Sequence, residues 1–364
     1  MRIAYVINSM EGGGAQTSLP KIVCALEKAG AHVRVLALTR RNGLAIERLR
    51  TNGIEAVVRD GGEKDHLTAY RWIHDQAREW AADVIWTSLT RSTLLGQIAG
   101  KTLGIPVVSW QHNAFLKPWN ERLLRWRADA SHIWVADSLQ VAVLTKDRLG
   151  VAKECLITWP IFAAEPCALK ARPWKPGETL QVGSLGRLHP NKGYDILIDA
   201  LAMMHAERLT PSTPFRIVIG GTGADEAALR ARALNKGVER IYFTGFENDT
   251  AGFLANLHLY LQPSRREGFC IAAHEAMQAG LPVIVSRTGE MPLTVDNPAI
   301  GRVVEVADPK SLATALSQLL SAPQELAGMG QAARERVLER FSQTWFDSVG
   351  ATSVRRLEDL LSQR

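Results

Sequence analysis

The chain alternates short apolar runs, rich in β-branched residues, with longer stretches whose apolar positions recur every three or four residues. The short runs predict buried strands and the longer stretches predict amphipathic helices. In the first half the strand-like runs are RIAYVIN, HVRVLAL, ADVIWTS, PVVSWQH and HIWVADS. This alternation predicts a parallel sheet covered by helices.

The pattern breaks between residues 160 and 177, where four prolines interrupt a segment without clean periodicity. It restarts with LQVGSLGRL, FRIVIGG, IYFTGF, LHLYLQPS and LPVIVS, again with helical patterns between the runs. The sequence therefore predicts an α/β protein of two tandem Rossmann-like, doubly wound domains.

We place the domain boundaries from these breaks in the pattern. The N-terminal domain is expected at residues 1–165, a linker at 166–177 and the C-terminal domain at 178–343. A helix at 344–364 is expected to pack back on the first domain. Because doubly wound sheets bind ligands at the carboxyl ends of their strands, two domains facing each other would share a central cleft.

Composition agrees with two globular domains. A chain of 364 residues exceeds the usual size of a single core, and 46% of its residues are hydrophobic. Its four cysteines lack paired spacing, which disfavours a disulfide framework or a zinc site. The first apolar run is too short for a secretory signal, and no stretch approaches the roughly 20 apolar residues of a membrane span. We expect a cytoplasmic protein, or one at the cytoplasmic face of the inner membrane.

The net charge of +6 is unevenly distributed. Residues 1–177 hold 24 Lys and Arg against 16 Asp and Glu, and the remainder holds 19 against 21. A basic first half favours an anionic neighbour such as a phospholipid surface, a pyrophosphate-linked acceptor or nucleic acid. A solvated basic surface without a partner explains the charge equally well.

The strongest chemical pattern is a pair of glutamates eight positions apart. Glu267 follows the strand-like run LYLQPS, and Glu275 lies in the helix that we expect to start near Cys270. The carboxylates can accept hydrogen bonds from sugar hydroxyls while free helix-end amides bind phosphate oxygens. We expect the whole segment to contact a ligand, with Gly268, Phe269, Cys270 and Ile271 between the glutamates.

A second pattern, Gly186 to Gly193, follows the strand-like run QVGSLG. Arg187 offers a planar fork for phosphate oxygens, and Lys192 adds a compact positive charge. Cations of this kind can neutralise a departing diphosphate in the transition state. Read alone, the pair could also be ordinary surface residues.

Two features in the first half follow strand-like runs. Glycines 12–14 follow RIAYVIN, and Gly13 and Gly14 could bring the backbone close to a phosphate or could simply make a tight turn. His112 ends PVVSWQH, where a histidine would lie at the ligand-binding edge of the sheet. A histidine that only satisfies the backbone is the alternative.

The element Glu267 to Glu275, with the following AGLPVIVS, resembles the signature of the retaining GT-B glycosyltransferases of family 4. The resemblance runs from Ile3 to about Phe346. Cys270 and His274 depart from it, since the family more often has a small and an apolar residue there.

The resemblance implies a role for each matched residue. Glu267 would contact hydroxyls of the transferred sugar, Glu275 the nucleotide ribose, and Arg187 with Lys192 the pyrophosphate. His112 would lie beside the reaction centre; whether it acts as a base is left open. Gly221 and Gly223 would form the family's G-x-G turn. Gly245 and Phe246 would lie where the nucleobase is held, although Phe246 could equally be a core residue.

Several motifs are absent from the sequence. It has no D-x-D, H-E-x-x-H, C-x-x-C, G-x-x-x-x-G-K-[ST] or G-x-S-x-G. These absences disfavour metal-dependent GT-A transferases, zinc enzymes, P-loop enzymes and serine hydrolases. HVRVLAL also ends without the acidic residue of a nicotinamide site. We expect no cofactor and no metal in the transfer step.

The segment from Phe115 to Arg127 mixes aromatic residues with cations. It predicts either a helix that touches an anionic membrane or a buried helix with a basic outer face.

The resulting hypothesis is a retaining glycosyltransferase without a nucleic-acid partner. Its donor would be a UDP- or GDP-sugar, and its acceptor a saccharide or a lipid-linked acceptor in bacterial surface polysaccharide or lipopolysaccharide assembly. Two alternatives stay open: a sugar-nucleotide epimerase of the same architecture, and a non-catalytic two-lobed sugar-binding protein.

Overall fold

The computed structural model describes residues 1–113 and 115–363 of the chain. They divide into two compact units. The first comprises Met1–Ala163 together with the chain from Gln343 onward, and the second comprises Ala164–Ser342. Residues 166–177, where we expected a linker, belong to the second unit. There Arg334 donates hydrogen bonds to the backbone oxygens of Pro166 and Gln278.

The first unit contains a parallel sheet of seven strands in the order β3-β2-β1-β4-β5-β6-β7. The strands are β1 (Arg2–Ile7), β2 (His32–Ala37), β3 (Ala56–Val58), β4 (Val84–Ser88), β5 (Val107–Gln111), β6 (Ile133–Ala136) and β7 (Leu156–Thr158). The central strands read as continuous apolar runs because helices cover the sheet. Every residue of β4, β5 and β6 is buried.

Helices connect these strands. They are α1 (Gly14–Thr17), α2 (Leu19–Lys28), α3 (Leu44–Thr51), α4 (His66–Glu79), α5 (Thr90–Leu103), α6 (Pro118–Trp126) and α7 (Leu139–Leu149). The ends of α7 follow local sequence signals. Ser138 caps α7 by accepting a hydrogen bond from the Val141 amide, and Gly150 ends the helix in the left-handed conformation.

The second unit contains a parallel sheet of six strands in the order β10-β9-β8-β11-β12-β13. The strands are β8 (Leu180–Leu185), β9 (Phe215–Gly220), β10 (Ile241–Gly245), β11 (Leu259–Gln262), β12 (Val283–Ser286) and β13 (Gly301–Val304). The helices are α8 (Tyr194–Ala206), α9 (Glu226–Asn235), α10 (Thr250–Ala255), α11 (Ile271–Gln278), α12 (Met291–Thr294), α13 (Pro309–Ser321) and α14 (Leu326–Arg340).

The last helix, α15 (Gln343–Ser362), belongs to the first unit and packs on α2. Phe346 of α15 is fully buried, with its ring centroid 5.2 Å from that of Trp159. Gly350 lets the helix approach closely, because a Cβ there would lie 3.1 Å from the Cβ of Ala25. The helix thus closes the core of the first unit.

Strand order reverses between β1 and β4 in the first sheet and between β8 and β11 in the second. At such a switch point the loops at the carboxyl ends of the strands diverge and leave room for a ligand. The glycine loop follows β1, and Glu267 follows β11. The topology therefore places these predicted site residues at binding positions.

Both units are parallel-sheet α/β domains, which confirms the fold class. The sequence analysis did not identify the short strands β3, β7 and β13, which have three or four residues each. Within the described residues, no helix combines the length and the apolar character that crossing a bilayer requires.

Candidate functional site

The loop after β8 carries Lys192 toward the switch point of the second sheet. It ends in a 3-10 turn over Pro190–Lys192. The next residue, Gly193, has a φ of 69°, and a Cβ there would lie 2.0 Å from the backbone oxygen of Pro263. Only glycine permits this approach. The loop therefore packs directly against the chain that leaves β11.

Lys192 and Glu267 form an ion pair, with the lysine Nζ 2.7 Å from Oε1 of the glutamate. Two further donors reach the same oxygen: Ser264 Oγ at 2.6 Å and Gln262 Nε2 at 3.2 Å. None of the described residues donates a hydrogen bond to Oε2 of Glu267. The carboxylate is thus held through one oxygen, and the other can accept hydrogen bonds from a ligand.

Lys192 keeps its positive charge in this partly buried position. Burial alone would lower the pKa of the ammonium group, but the neighbouring Glu267 carboxylate outweighs burial, so the pKa of Lys192 is raised. The lysine thus supplies a permanent cation beside Glu267 at the strand ends.

A buried chain of hydrogen bonds on β11 supports Glu267 from below. The Tyr260 hydroxyl accepts from the Leu185 amide at 3.1 Å and donates to Oε1 of Gln262 at 2.8 Å. This contact turns the Gln262 amide nitrogen toward Ser264 and Glu267. Burial raises the pKa of Tyr260, so its hydroxyl stays protonated. The chain links the end of β8 to Glu267.

Arg187 lies at the start of the same β8 loop and is exposed. Its guanidinium makes no hydrogen bond or ion pair with any residue that the structure describes. All of its N–H donors are therefore available to an anion.

Glu267 is followed by a tight loop that leads into α11. Cys270 adopts a φ of 73°, and α11 begins at Ile271. The Gly268 oxygen accepts a hydrogen bond from the Glu290 amide at 3.1 Å. The first amides of α11 lie directly after this loop, and helix-start amides favour anions. Glu275 is half-buried one turn into the helix.

His274, one of the departures from the family pattern, lies beneath this loop. Its ring stacks on Phe269 with centroids 4.1 Å apart. Its Nδ1 lies 2.9 Å from the Cys270 oxygen, and its Nε2 lies 3.0 Å from the Thr294 hydroxyl. Burial lowers the pKa of His274 to about 3, so the ring is neutral at physiological pH. His274 is thus a structural residue that braces the loop.

The predicted G-x-G turn packs against the β8 loop. A Cβ on Gly221, whose φ is 143°, would lie 2.0 Å from the Gly186 oxygen. A Cβ on Gly223 would lie 2.1 Å from the Leu188 oxygen. Both glycines are therefore needed to bring this turn onto the loop that carries Arg187.

Gly245 and Phe246 follow β10 beside this turn. The Gly221 amide donates a hydrogen bond to the Gly245 oxygen at 2.6 Å. Phe246 is 53% exposed, so its interpretation as a core residue is wrong. An exposed ring at a strand end can contact a ligand.

The glycine loop of the first unit follows β1. Gly13 precedes α1, a helix of four residues that starts at Gly14. The Gly13 φ of −98° needs no glycine, and a Cβ there would meet only the flexible end of Gln16 at 2.8 Å. The geometry here is that of a tight strand-to-helix turn.

His112 directly follows β5 and bonds to the ends of two neighbouring strands. Its Nε2 lies 2.6 Å from Oγ of Ser88, the last residue of β4. Its Nδ1 lies 3.0 and 3.1 Å from the two carboxylate oxygens of Asp137, which follows β6. Trp110 Nε1 donates to the same carboxylate at 2.5 Å.

Serine hydrolases use a serine, a histidine and an aspartate joined by hydrogen bonds in the same order. Here, however, the serine is not accessible. Ser88 is fully buried, and the Asp137 side chain is almost so. A nucleophilic hydroxyl has to reach its substrate, which Ser88 does not. The arrangement therefore orients His112 and does not form an acyl-transfer site.

The sequence analysis missed Ser88, Asp137 and Trp110, since none lies in a recognisable motif. One available signal was position. Ser88 ends the run ADVIWTS, and Asp137 is the second-to-last residue of HIWVADS; polar residues at the strand ends of a parallel sheet converge. In the second unit the structure brings Lys192 and Glu267 into contact, with Arg187 on the same loop as Lys192.

Comparison with known proteins agrees with the two-domain division. The model of the family "Glycosyltransferase Family 4" matches residues 12–162, and that of "Glycosyl transferases group 1" matches residues 169–336. Together the two matches span most of both units.

Two curated relatives have similar sequences. The GDP-mannose-dependent alpha-(1-6)-phosphatidylinositol monomannoside mannosyltransferase of Mycolicibacterium smegmatis is 34% identical over 198 residues, which cover 52% of this chain and 49% of the relative. The match thus spans about half of that relative's length. The phosphatidyl-myo-inositol mannosyltransferase of Mycobacterium leprae is 26% identical over 330 residues, covering 85% of this chain and 84% of the relative.

A solved structure shares the fold. The crystal structure of Anabaena Alr3699/HepE in complex with UDP-glucose matches with a TM-score of 0.83 at 21% identity, covering 98% of this chain and all of that chain. Its fold is the GT-B fold of two parallel-sheet α/β domains. Because the two family models together match residues 12–162 and 169–336, the chain belongs to the group 1, family 4 glycosyltransferases.

Proposed function

We propose that the protein is a retaining, metal-independent glycosyltransferase that moves a hexose from a nucleotide diphosphate sugar to a saccharide or lipid-linked acceptor. The observation that carries the proposal is the Lys192–Glu267 pair at the switch point of the second sheet. It combines a permanent cation with a carboxylate oxygen that no described residue occupies.

Glu267 would bind the transferred sugar through Oε2. A carboxylate oxygen can accept hydrogen bonds from two sugar hydroxyls, and Oε1 is already held by three donors. The buried hydrogen bonds that run from Tyr260 through Gln262 to Oε1 hold the Glu267 carboxylate in place before the donor arrives. A preorganised acceptor needs little rearrangement in the transition state.

The departing diphosphate would be stabilised by protein cations. Arg187 offers an unoccupied planar fork, Lys192 a permanent charge, and the start of α11 its backbone amides. Glu275 would accept hydrogen bonds from the ribose hydroxyls. With these groups, transfer proceeds without a divalent cation or another cofactor.

The reaction would retain the configuration at the anomeric carbon. In a front-face mechanism the bond from the anomeric carbon to the diphosphate oxygen breaks while the acceptor oxygen bonds to the same face. The acceptor proton passes to an oxygen of the leaving phosphate. This route needs no covalent nucleophile from the protein.

The donor would be a UDP- or GDP-sugar. The Mycolicibacterium smegmatis relative is described as GDP-mannose-dependent, and the similar fold of Anabaena Alr3699/HepE was solved with UDP-glucose. Both curated relatives are named as mannosyltransferases of phosphatidylinositol or its monomannoside. We therefore place the protein in assembly of a bacterial surface glycan, with a lipid-linked acceptor at the cytoplasmic face of the inner membrane.

A donor screen with product analysis tests this function. UDP-, GDP- and ADP-sugars are compared for thermal stabilisation, since a ligand that binds the folded state raises the apparent melting temperature. The stabilising donor is then incubated with lipid-linked and saccharide acceptors in EDTA. NMR of the product should show the donor's anomeric configuration. An inverted linkage, loss of transfer in EDTA, or epimerised donor without transfer would contradict the proposal.

Helix α6 supports contact between the first unit and an anionic membrane. Trp119 and Trp126 are 67% and 78% exposed and lie seven positions apart, so they share one face of the helix. The exposed cations Lys117, Arg122 and Arg125 accompany them, while Leu124 faces the core. Tryptophan and arginine together suit the headgroup region of a bilayer.

Vesicle binding tests this contact. We expect the protein to sediment with phosphatidylglycerol-containing vesicles and much less with neutral phosphatidylcholine vesicles. The double change Trp119→Ala and Trp126→Ala should weaken the binding. Leu234→Ala, which removes an 81% exposed apolar side chain of the second unit, is the matched control. Equal binding to both vesicle types would contradict a charge-dependent contact.

A further inference from the structure

Three polar side chains meet at the ends of neighbouring strands in the first unit. Ser88 ends β4, His112 follows β5 and Asp137 follows β6. Asp137 is 1% exposed, and the His112 side chain is 8% exposed. A buried polar side chain is costly unless its hydrogen bonds are made, so this group behaves as a unit.

Two ring nitrogens contact the Asp137 carboxylate. His112 Nδ1 lies 3.0 Å from Oδ1 and 3.1 Å from Oδ2, and Trp110 Nε1 donates to Oδ1 at 2.5 Å. Trp110 also stacks on His112, with centroids 5.5 Å apart and planes within 11° of parallel. The imidazole is therefore fixed both by its edge and by its face.

These contacts determine which nitrogen of His112 carries the proton. Both oxygens of an ionised carboxylate only accept, so Nδ1 has to donate to Asp137. In the neutral ring Nε2 is then an acceptor, and the Ser88 hydroxyl donates to it at 2.6 Å. Asp137 thus specifies the Nδ1–H tautomer, and both ring nitrogens have protein partners.

We propose that Asp137, backed by Trp110, is a positioning residue for His112. In this arrangement the His112 ring is held in one orientation, with its proton on Nδ1, for the transfer reaction. The inference rests on the proposed function and adds to it a role for the buried strand ends of the first unit.

The first test compares Asp137→Asn with the wild type in the transfer assay. Asparagine keeps the shape of the side chain but can turn its NH2 group toward His112 and favour the other tautomer. We expect kcat to fall by about 10- to 100-fold with little change in the donor KM, as for other residues that orient a functional histidine. Asp147→Asn, at an exposed position of α7, is the matched control.

Nitrogen NMR of histidine-labelled protein reports the tautomer without substrate. The His112 signals, identified by their loss in His112→Gln, should show a protonated Nδ1 and an unprotonated Nε2 in the wild type. Asp137→Asn should shift them toward the opposite tautomer. A wild-type proton on Nε2, or unchanged signals in Asp137→Asn, would overturn the inference.

A second pair of variants tests whether the hydrogen bonds of the ring matter. Glutamine can accept the Ser88 hydrogen bond through its side-chain oxygen, whereas alanine cannot make such a bond. We therefore expect His112→Gln to keep clearly more activity than His112→Ala. Equal loss in both variants would overturn the importance that we assign to these hydrogen bonds.

If Asp137→Asn does not fold, Trp110→Phe tests the same arrangement. It keeps an aromatic ring under His112 and removes only the N–H donor to Asp137, so kcat should fall below that of the wild type. An unchanged kcat would overturn the support that we assign to Trp110. Transfer by the wild type together with full activity of Asp137→Asn defeats this inference alone. A wild type that transfers no sugar defeats the proposed function and the inference with it.

Discussion

Glu267 has an asymmetric set of hydrogen bonds. Three donors, Lys192, Gln262 and Ser264, converge on Oε1, while no described residue donates to Oε2. The asymmetry suits a group that is anchored on one side and binds a ligand on the other.

We expect Glu267→Gln to lower kcat/KM for transfer by roughly 100-fold. The change removes the charge that pairs with Lys192 and replaces one acceptor oxygen by a donor, so a charge-assisted hydrogen bond to the sugar is lost. Steady-state kinetics with the preferred donor measures the effect. Glu239→Gln, at an exposed position of the same unit, should be neutral. Near-normal activity of Glu267→Gln would refute the role of Oε2.

His274 should make the stability of the protein fall as the solution is acidified. Burial disfavours the charged ring and lowers its pKa to about 3 in the folded chain, from the ordinary histidine value of 6.5. Between these values the unfolded state binds a proton that the folded state does not. Stability is then lost as pH falls from about 6.5 toward 3, by at most about 1.4 kcal/mol per pH unit.

Urea unfolding at several pH values between 4 and 7 measures this slope. Gln is neutral throughout and can replace both hydrogen bonds of the ring. His274→Gln should therefore give a shallower loss of stability on acidification, even if it is less stable at pH 7. His66→Gln, at an exposed position of α4, should keep the wild-type slope. Identical slopes for all three proteins would show that His274 does not cause the acid sensitivity.

At the scale of single elements, α11 and α14 pack through a backbone contact. A Cβ on Gly330 of α14 would lie 1.9 Å from the backbone oxygen of Gly280, which follows α11. Gly328, half a turn earlier in the same helix, has no atom within 4 Å of its Cβ position. Both glycines lie in the same helix, but only Gly328 has room for a side chain.

This difference predicts opposite effects of the same substitution. Gly330→Ala should destabilise the protein by about 1–3 kcal/mol, because the backbone has to move apart. Gly328→Ala should stabilise it by about 0.5–1 kcal/mol, because alanine is the better helix former. Chemical denaturation of both variants checks the pair. Equal changes would contradict the close approach of the two backbones.

Elements with strong periodicity were predictable from the sequence, and short ones were not. Strands β1, β4 and β9 of the two sheets are mostly apolar and mostly buried, and such runs identified the α/β class. Strand β3 has only three residues, and none is fully buried. Its pairing with β2 depends on tertiary context, which a local pattern does not contain.

The site was less predictable than the fold because its contacts join distant positions. Lys192 and Glu267 were both expected at a ligand site, but their ion pair spans 75 positions. The pairing depends on Gly193, whose close contact with Pro263 becomes visible only in three dimensions. Likewise, Ser88 and Asp137 lie in no recognisable motif. Their link to His112 becomes visible only from the strand order, which places β4, β5 and β6 side by side.

At the scale of the whole molecule, the two units differ in how the chain builds them. The second unit is one continuous segment, Ala164–Ser342, whose ends adjoin, since the Ala164 amide donates to the Phe341 oxygen at 2.8 Å. The first unit consists of two segments, because α15 follows the second unit in sequence but packs on α2. The first unit therefore depends on a remote part of the chain.

Phe346→Ala should selectively destabilise the first unit, by about 3–5 kcal/mol. The side chain is fully buried against Trp159, so its removal leaves a cavity under α15. Hydrogen exchange followed by mass spectrometry should show faster exchange in β1 to β7 and little change in the second unit. Phe246→Ala removes the same ring from a 53% exposed position and should cost far less. Uniform destabilisation of both units would contradict the assignment of α15.

The position of α15 also determines the order in which the nascent chain can fold. At about 5–20 residues per second, the ribosome spends roughly 10–35 s on the segment between Ala163 and Gln343. During that time the second unit can acquire all of its sequence, whereas the first has emerged earlier but lacks its last helix. Until α15 is synthesised, the apolar surface around Trp159 and α2 that this helix covers stays exposed on the ribosome.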